Sequence, residues 1–86
     1  MADKLHFSLV APERQLFAAE VDQVDAPGLE GDFGVMAGHA PFMTALKAGA
    51  VTVYEGSGRR VFNIEGGFAD VTPQGLTILA ENAVEA

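Results

Sequence analysis

Apolar and polar residues alternate with a period of two in four windows of the chain. Leu5, Phe7 and Leu9 share one face, with His6 and Ser8 opposite. Val51 and Val53 alternate with Thr52 and Tyr54, Phe62 and Ile64 with Asn63 and Glu65, and Leu76, Ile78 and Ala80 with Thr77 and Glu81. That spacing is the signature of strands buried on one side. Proline and glycine interrupt the chain at short intervals, at Pro12, Pro27-Gly28, Gly31, Gly34, Gly38, Pro41, Gly49, Gly56 to Gly58, Gly66-Gly67, Pro73 and Gly75. Short segments between regular turn signals predict an all-β sandwich or barrel. Ser57-Gly58, flanked by Gly56, reads as a hairpin turn between Val51–Glu55 and Arg60–Glu65. Pro73-Gln74-Gly75 reads as a second turn, joining Phe68–Val71 to Leu76–Ala80.

Two stretches fit the pattern less well. Leu16, Phe17, Val21 and Val24 suit a short helix about as well as two strands, and the tight bracket of Pro12 and Pro27 favours strands. Leu79, Ala80, Ala83 and Val84 also show helical spacing, and the chain then stops at Ala86. No internal repeat, linker or low-complexity segment interrupts residues 1–86, which read as a single domain.

Composition removes several classes of function. The 86 residues are 49% hydrophobic, enough for one thin core, and aliphatic and aromatic content is too high for intrinsic disorder. The longest apolar run, Leu16-Phe17-Ala18-Ala19, is far short of the roughly 20 residues of a membrane-spanning helix. No basic stretch followed by an apolar core opens the chain, so no secretory signal is expected. Five Lys and Arg against twelve Asp and Glu give a net charge of −7. Nucleic acid needs a basic stripe, which is missing, and a direct hold on anionic lipid is disfavoured for the same reason. Zero cysteines exclude disulfides, thiolate metal sites and cysteine nucleophiles.

The motifs that could carry chemistry fall away on inspection. Asp32-Phe33-Gly34 spells a kinase magnesium tripeptide, but no catalytic loop or paired lysine accompanies it. Gly28, Gly31 and Gly34 are spaced by three, yet no Lys-Ser or Lys-Thr follows to make a phosphate cradle, and they read as turn glycines. Asp22, Asp25, Glu30 and Asp32 lack the every-second-residue ladder of a calcium loop and read as a solvated acidic loop. Ser8 and Ser57 sit in no strained elbow. His6 lies on a strand's polar face, and with His39 it forms no zinc ligand set. Catalytic, metal and cofactor sites are therefore not expected.

What remains is the run Glu30-Gly31-Asp32-Phe33-Gly34-Val35-Met36-Ala37-Gly38-His39-Ala40-Pro41-Phe42-Met43-Thr44-Ala45-Leu46. It resembles the signature of the epsilon-subunit family of F-type ATP synthases, whose mitochondrial counterpart is called delta. Ala11–Phe17, Gly66–Val71 and Thr77–Glu81 extend the resemblance over essentially residues 4 to 84. The resemblance implies a flattened ten-stranded β-sandwich at the foot of a rotating central stalk, without a catalytic site or cofactor. It implies two partners, the gamma subunit and the c-ring, and a place on the cytoplasmic face of the bacterial inner membrane, held there only through the complex. Within the signature, Glu30, Asp32 and His39 are expected to meet the c-ring, on a segment from Glu30 to Pro41 read as an exposed shaped loop rather than a strand pair. Val10, Ala11 and Thr44 are expected toward gamma, while Phe33, Val35, Phe42 and Leu46 are expected to anchor the loop. Most bacterial members continue into a two-helix C-terminal domain that restrains ATP hydrolysis and in some binds ATP, whereas this sequence stops at Ala86. The resemblance therefore carries neither property to this chain. An unrelated β-sandwich binding a small ligand or carbohydrate is the alternative that periodicity alone leaves open.

Overall fold

The computed structural model describes residues 4–38 and 40–86. Among them it contains ten strands and no helix. The strands are β1 (Leu5–Ala11), β2 (Arg14–Val21), β3 (Gln23–Ala26), β4 (Phe33–Val35), β5 (Phe42–Leu46), β6 (Gly49–Glu55), β7 (Gly58–Ile64), β8 (Gly67–Thr72), β9 (Gly75–Ala80) and β10 (Ala83–Glu85). They form two five-stranded sheets. Sheet I runs β2-β1-β9-β8-β5 and sheet II runs β10-β7-β6-β3-β4. All pairings are antiparallel except β1 with β9.

The four alternating windows become β1, β6, β7 and β9, and their apolar faces meet between the sheets. Phe7, Leu9, Ala69, Val71, Leu76 and Ile78 of sheet I pack with Val24, Val35, Val51, Val53, Phe62 and Ile64 of sheet II, all buried. No polar or charged side chain is buried among the described residues. Burial of an aliphatic or aromatic side chain contributes about 1.5–3 kcal/mol, so this core is the main source of stability.

Both predicted hairpins form. The β6–β7 turn is centred on Gly56-Ser57, one residue earlier than the sequence suggests, because Glu55 pairs with Gly58. Gly56 has φ +59°, the left-handed backbone that the first position of a II′-type hairpin turn requires. Thr72 pairs with Gly75 across Pro73-Gln74.

The stretch with helical spacing is strand, for two local reasons. A bulge lies where Leu9 pairs with Phe17 but Val10 pairs with Gln15, so β2 holds one extra residue there. Leu16 and Phe17, neighbours in sequence, then both pack against the core. At Asp22 the chain leaves sheet I for sheet II, so the spacing of three from Val21 to Val24 spans a corner. The C-terminal spacing resolves likewise into the end of β9 and the short β10, which pairs with β7.

Aromatic pairs bridge the sheets at both open sides. Phe17 of β2 lies 5.4 Å from Phe62 of β7, and Phe33 of β4 meets Phe42 of β5 edge-on at 5.4 Å. At the first side the Arg60 guanidinium covers the Phe17 ring at 4.7 Å. Its Nε and Nη2 donate to the two oxygens of Glu85 at 2.8 and 2.9 Å. Arg60 stands on the inward register of β7, so its stem packs at the sandwich mouth while its head reaches the rim.

Candidate functional site

The outward positions of sheet I follow from its register. One row across the sheet is Ala45, Phe68, Leu79, Val10 and Gln15, and the next is Met43, Asp70, Thr77, Ser8 and Ala18. Met43, Phe68 and Leu79 are 68%, 55% and 52% exposed, on the three neighbouring strands β5, β8 and β9. Large apolar residues on outward positions of adjacent strands are the kind of surface at which proteins commonly meet a partner. Beside them is a hollow of about 500 Å³ lined by Val10, Ala11, Pro12, Phe68 and Leu79.

Two of the residues expected toward gamma therefore border this patch. Val10 occupies its apolar row, half-buried, and Ala11 lines the hollow. Thr44 is placed differently. It pairs with the buried Ala69, on the register that faces sheet II, and its Oγ1 reaches the Ala45 carbonyl at 3.4 Å. On β5 the outward neighbours of Thr44, Met43 and Ala45, are the ones that join the patch.

The Glu30–Pro41 segment corrects one expectation. It is not a loop throughout, because Phe33–Val35 forms β4 and pairs antiparallel with β3, Val24 opposite Val35 and Asp25 opposite Gly34. A Cβ at Gly34 would stand 2.7 Å from Asp25 Oδ1, whose carboxylate accepts from Gln23 Nε2 at 2.7 Å, so a larger residue there would make that side-chain pair shift. The four anchors behave as expected. Val35 and Leu46 are buried, and Phe33 and Phe42 form the edge-on pair. Around them the backbone is stitched to β5, with Leu29 N–H donating to Ala45 O and Lys47 N–H to Pro27 O, both at 2.9 Å.

On this framework Glu30 and Asp32 are exposed, with Lys47 Nζ 3.9 Å from Asp32 Oδ1. His39 lies outside the described residues. Leu29 and Met36, 62% and 59% exposed, flank the two acids and were not singled out from sequence. Their signal was present: both are apolar residues outside any alternating window. Phe68, Leu79 and Met43 were missed for another reason. Leu79 sits within Ile78-Leu79-Ala80 and Met43 beside Phe42, so each reads as core until strand register assigns it a face.

Other polar groups are engaged in structure. Asp22 accepts from Lys4 Nζ and from the Gly56 N–H, both at 2.6 Å. The Lys4 hydrogen bond, then that of Gly56, holds the Asp22 carboxyl below the ordinary carboxylate range, and Asp22 in turn raises Lys4. Arg60 likewise lowers Glu85 through its hydrogen bond. His6 Nδ1 lies 2.5 Å from Glu20 Oε2 across β1 and β2, exposed on the outer face of sheet I. Among the described residues no serine is hydrogen-bonded to a histidine, and no three candidate metal ligands converge. The described residues include no helix long and apolar enough to cross a membrane.

The ATP synthase epsilon chain of Caulobacter vibrioides is 72% identical to this chain over 83 residues, covering 96% of each protein. That of Hyphomonas neptunium is 67% identical, covering 96% of this chain and 62% of the relative, so this chain spans about three fifths of that protein. Among solved structures, a chain of the Euglena gracilis mitochondrial ATP synthase assembly of OSCP, F1 and c-ring superposes with a TM-score of 0.90 at 28% identity. It covers 99% of this chain and 55% of the other. A Tetrahymena thermophila chain from a mitochondrial central stalk and c-ring structure shares the fold at TM-score 0.77 and 16% identity, covering 96% of this chain and 67% of that one. Residues 4–86 match the β-sandwich domain of the ATP synthase delta/epsilon chain, and the protein belongs to that family.

Proposed function

We propose that this chain is a non-catalytic rotor subunit of a proton-translocating ATP synthase, joining the gamma subunit to the c-ring and helping to couple proton flow to ATP synthesis. The observation that carries this reading is the match of residues 4–86 to the β-sandwich domain of the delta/epsilon chain, supported by the exposed apolar side chains Met43, Phe68 and Leu79 on the outer face of sheet I. The outer face of sheet I, with Val10, Ala11, Met43, Phe68 and Leu79, takes the gamma subunit. Thr44 contributes from the edge strand β5, holding Met43 and Ala45 outward. The segment from Leu29 to Pro41 takes the polar loops of the c-ring through Glu30, Asp32 and His39, with Leu29 and Met36 as apolar flanks. Loops fixed on a rigid scaffold commonly carry recognition, and the aromatic pair beneath this one supplies the rigidity. The subunit sits on the cytoplasmic face of the bacterial inner membrane, attached through the complex alone.

Reconstitution tests the reading. ATP synthase membranes lacking this subunit are expected to regain ATP-driven proton pumping when the chain is added back. Failure to regain pumping, with the chain folded and present in excess, would remove it from the rotor.

A further inference from the structure

Two carboxylates share the hollow beside the apolar row on sheet I. Glu65 follows β7 and Glu81 follows β9, and the two connections are clasped by Glu65 N–H donating to Asn82 O at 3.1 Å and Glu81 N–H donating to Gly66 O at 3.0 Å. Asn82 Nδ2 also donates to Glu65 Oε2 at 3.1 Å, which fixes that side chain. Glu81 Oε1 turns toward Gly66, where a Cβ would come within 3.6 Å of it. Both acids line the same hollow as Val10, Phe68 and Leu79. The hollow thus combines an apolar lining with two carboxylates.

Among the described residues no cation pairs with these acids. Lys4 is held by Asp22 and Glu55, Lys47 is near Asp32, and Arg60 is clamped to Glu85. Arg14 lines an adjoining hollow with Glu13 and Glu81, yet among the described residues it lies within 4.0 Å of no carboxylate.

We infer that the hollow recognises a partner segment that presents apolar side chains followed by an arginine or lysine, with Glu65 and Glu81 as the specificity-determining pair. Covering Phe68 and Leu79 strips water from the two carboxylates that share their hollow. A carboxylate desolvated without a counter-charge is strongly unfavourable, so an apolar segment lacking the cation is rejected while one bearing it is drawn in. The inference rests on the reading that this face takes the gamma subunit, and names the chemistry that gamma must bring.

The test is titration of the gamma subunit of the same synthase onto the full chain, at salt concentrations of about 0.1 M and 1 M, between which the screening length falls from about 10 Å to about 3 Å. Wild type is expected to lose affinity as salt rises. The Glu65→Gln, Glu81→Gln double variant is expected to bind roughly tenfold more weakly at low salt, with most of the salt dependence gone. Glu55→Gln, at the end of β6 beside the β6–β7 turn, is expected to behave as wild type. Circular dichroism of each variant checks the fold, which neutralising exposed acids leaves intact. Phe68→Ser reports on the face itself. If it leaves binding unchanged, the gamma assignment of this face fails and the inference with it. If Phe68→Ser abolishes binding while the double variant keeps wild-type affinity and salt dependence, the face stands and the cation requirement is overturned.

Discussion

On the outer face of sheet I, neighbouring strands present Met43, Phe68 and Leu79 to solvent. On the outer face of sheet II, corresponding positions hold Gln23, Asp25, Thr52, Tyr54, Arg59 and Asn63, with the apolar Val61 and Val84 set apart around Asn63. Both sheets obey the same alternation on their inner faces, so the core does not explain the contrast. An antiparallel sheet with one wet face ordinarily places polar residues there, as sheet II does. Sheet I departs from this across three strands at once, and a departure with no benefit to the isolated fold points to a partner. Interface cores lean on such aromatic and aliphatic anchors, with a polar rim around them.

The largest effect is expected where the two faces share their support. Phe7→Ala would empty a fully buried site between the sheets, and a Phe to Ala change in a core costs about 3–5 kcal/mol. Set against the roughly 5–15 kcal/mol of a typical domain, that loss should lower the urea midpoint sharply and weaken both proposed contact surfaces together. A variant that lost gamma binding yet kept the wild-type midpoint would mean that Phe7 acts at the surface.

Next in size is the contrast itself. Phe68→Ser with Leu79→Ser removes two anchors that are already half in water, so the midpoint should move little. Binding of gamma should fall by about 2 kcal/mol or more, the scale of an interface anchor. Asn63→Asp on sheet II is expected to leave both stability and binding within about 0.5 kcal/mol of wild type. Equal losses from the two faces would mean that the apolar patch carries no special role.

A smaller effect belongs to the segment proposed to meet the ring. Asp32→Lys replaces an exposed acid and sets a second ammonium near Lys47, an exchange worth at most about 1 kcal/mol at an exposed pair. The isolated fold and soluble F1 activity should be unchanged, while protons pumped per ATP in reconstituted membranes should fall. Unchanged pumping in the assembled Asp32→Lys, His39→Ala double variant would take both residues out of the ring contact.

These expectations draw on features that the sequence exposes unevenly. Strands β1, β6, β7 and β9 were legible because each alternates over several residues, and the hairpins because Gly56 and Pro73 announce their turns. Strand β4 was hidden: three residues around a glycine are too short to show a period, and the partners that make it a strand, Val24 to Ala26, lie on another strand. The apparent helix at Leu16–Val24 came from a bulge and a corner, both set by pairing partners distant in sequence. Within the candidate site, the acids Glu30 and Asp32 could be picked out by motif resemblance, and Val10 and Ala11 as well. The apolar patch could not, because Phe68, Leu79 and Met43 acquire a common face only when β9, β8 and β5 are placed side by side.

The smallest expected effect concerns the corner where the chain passes from one sheet to the other. Asp22 stands at that corner and accepts from Lys4 and from the Gly56 N–H of the β6–β7 turn, so it ties the start of β1 to a hairpin of sheet II. Its folded carboxyl is held below the ordinary value of about 3.9, chiefly by the Lys4 hydrogen bond. Between those two values the unfolded chain binds a proton that the folded chain does not, so stability from this tie is present above about pH 4 and is lost as the pH falls through the folded value. Lys4 gives the opposite limb. Its folded value is raised, so its share is present below about pH 10 and is lost as the pH rises through that value. Asp22→Asn should therefore lower the thermal midpoint slightly at neutral pH, with a shallower decline on acidification and on strong alkalinisation. Glu85→Gln, which loosens the Arg60 clamp on the other side of the sandwich, should flatten the acid limb in the same sense. Melting curves from about pH 2 to pH 11 decide it, and acid and alkaline limbs in Asp22→Asn that run parallel to wild type would show that the corner tie does not couple the two sheets.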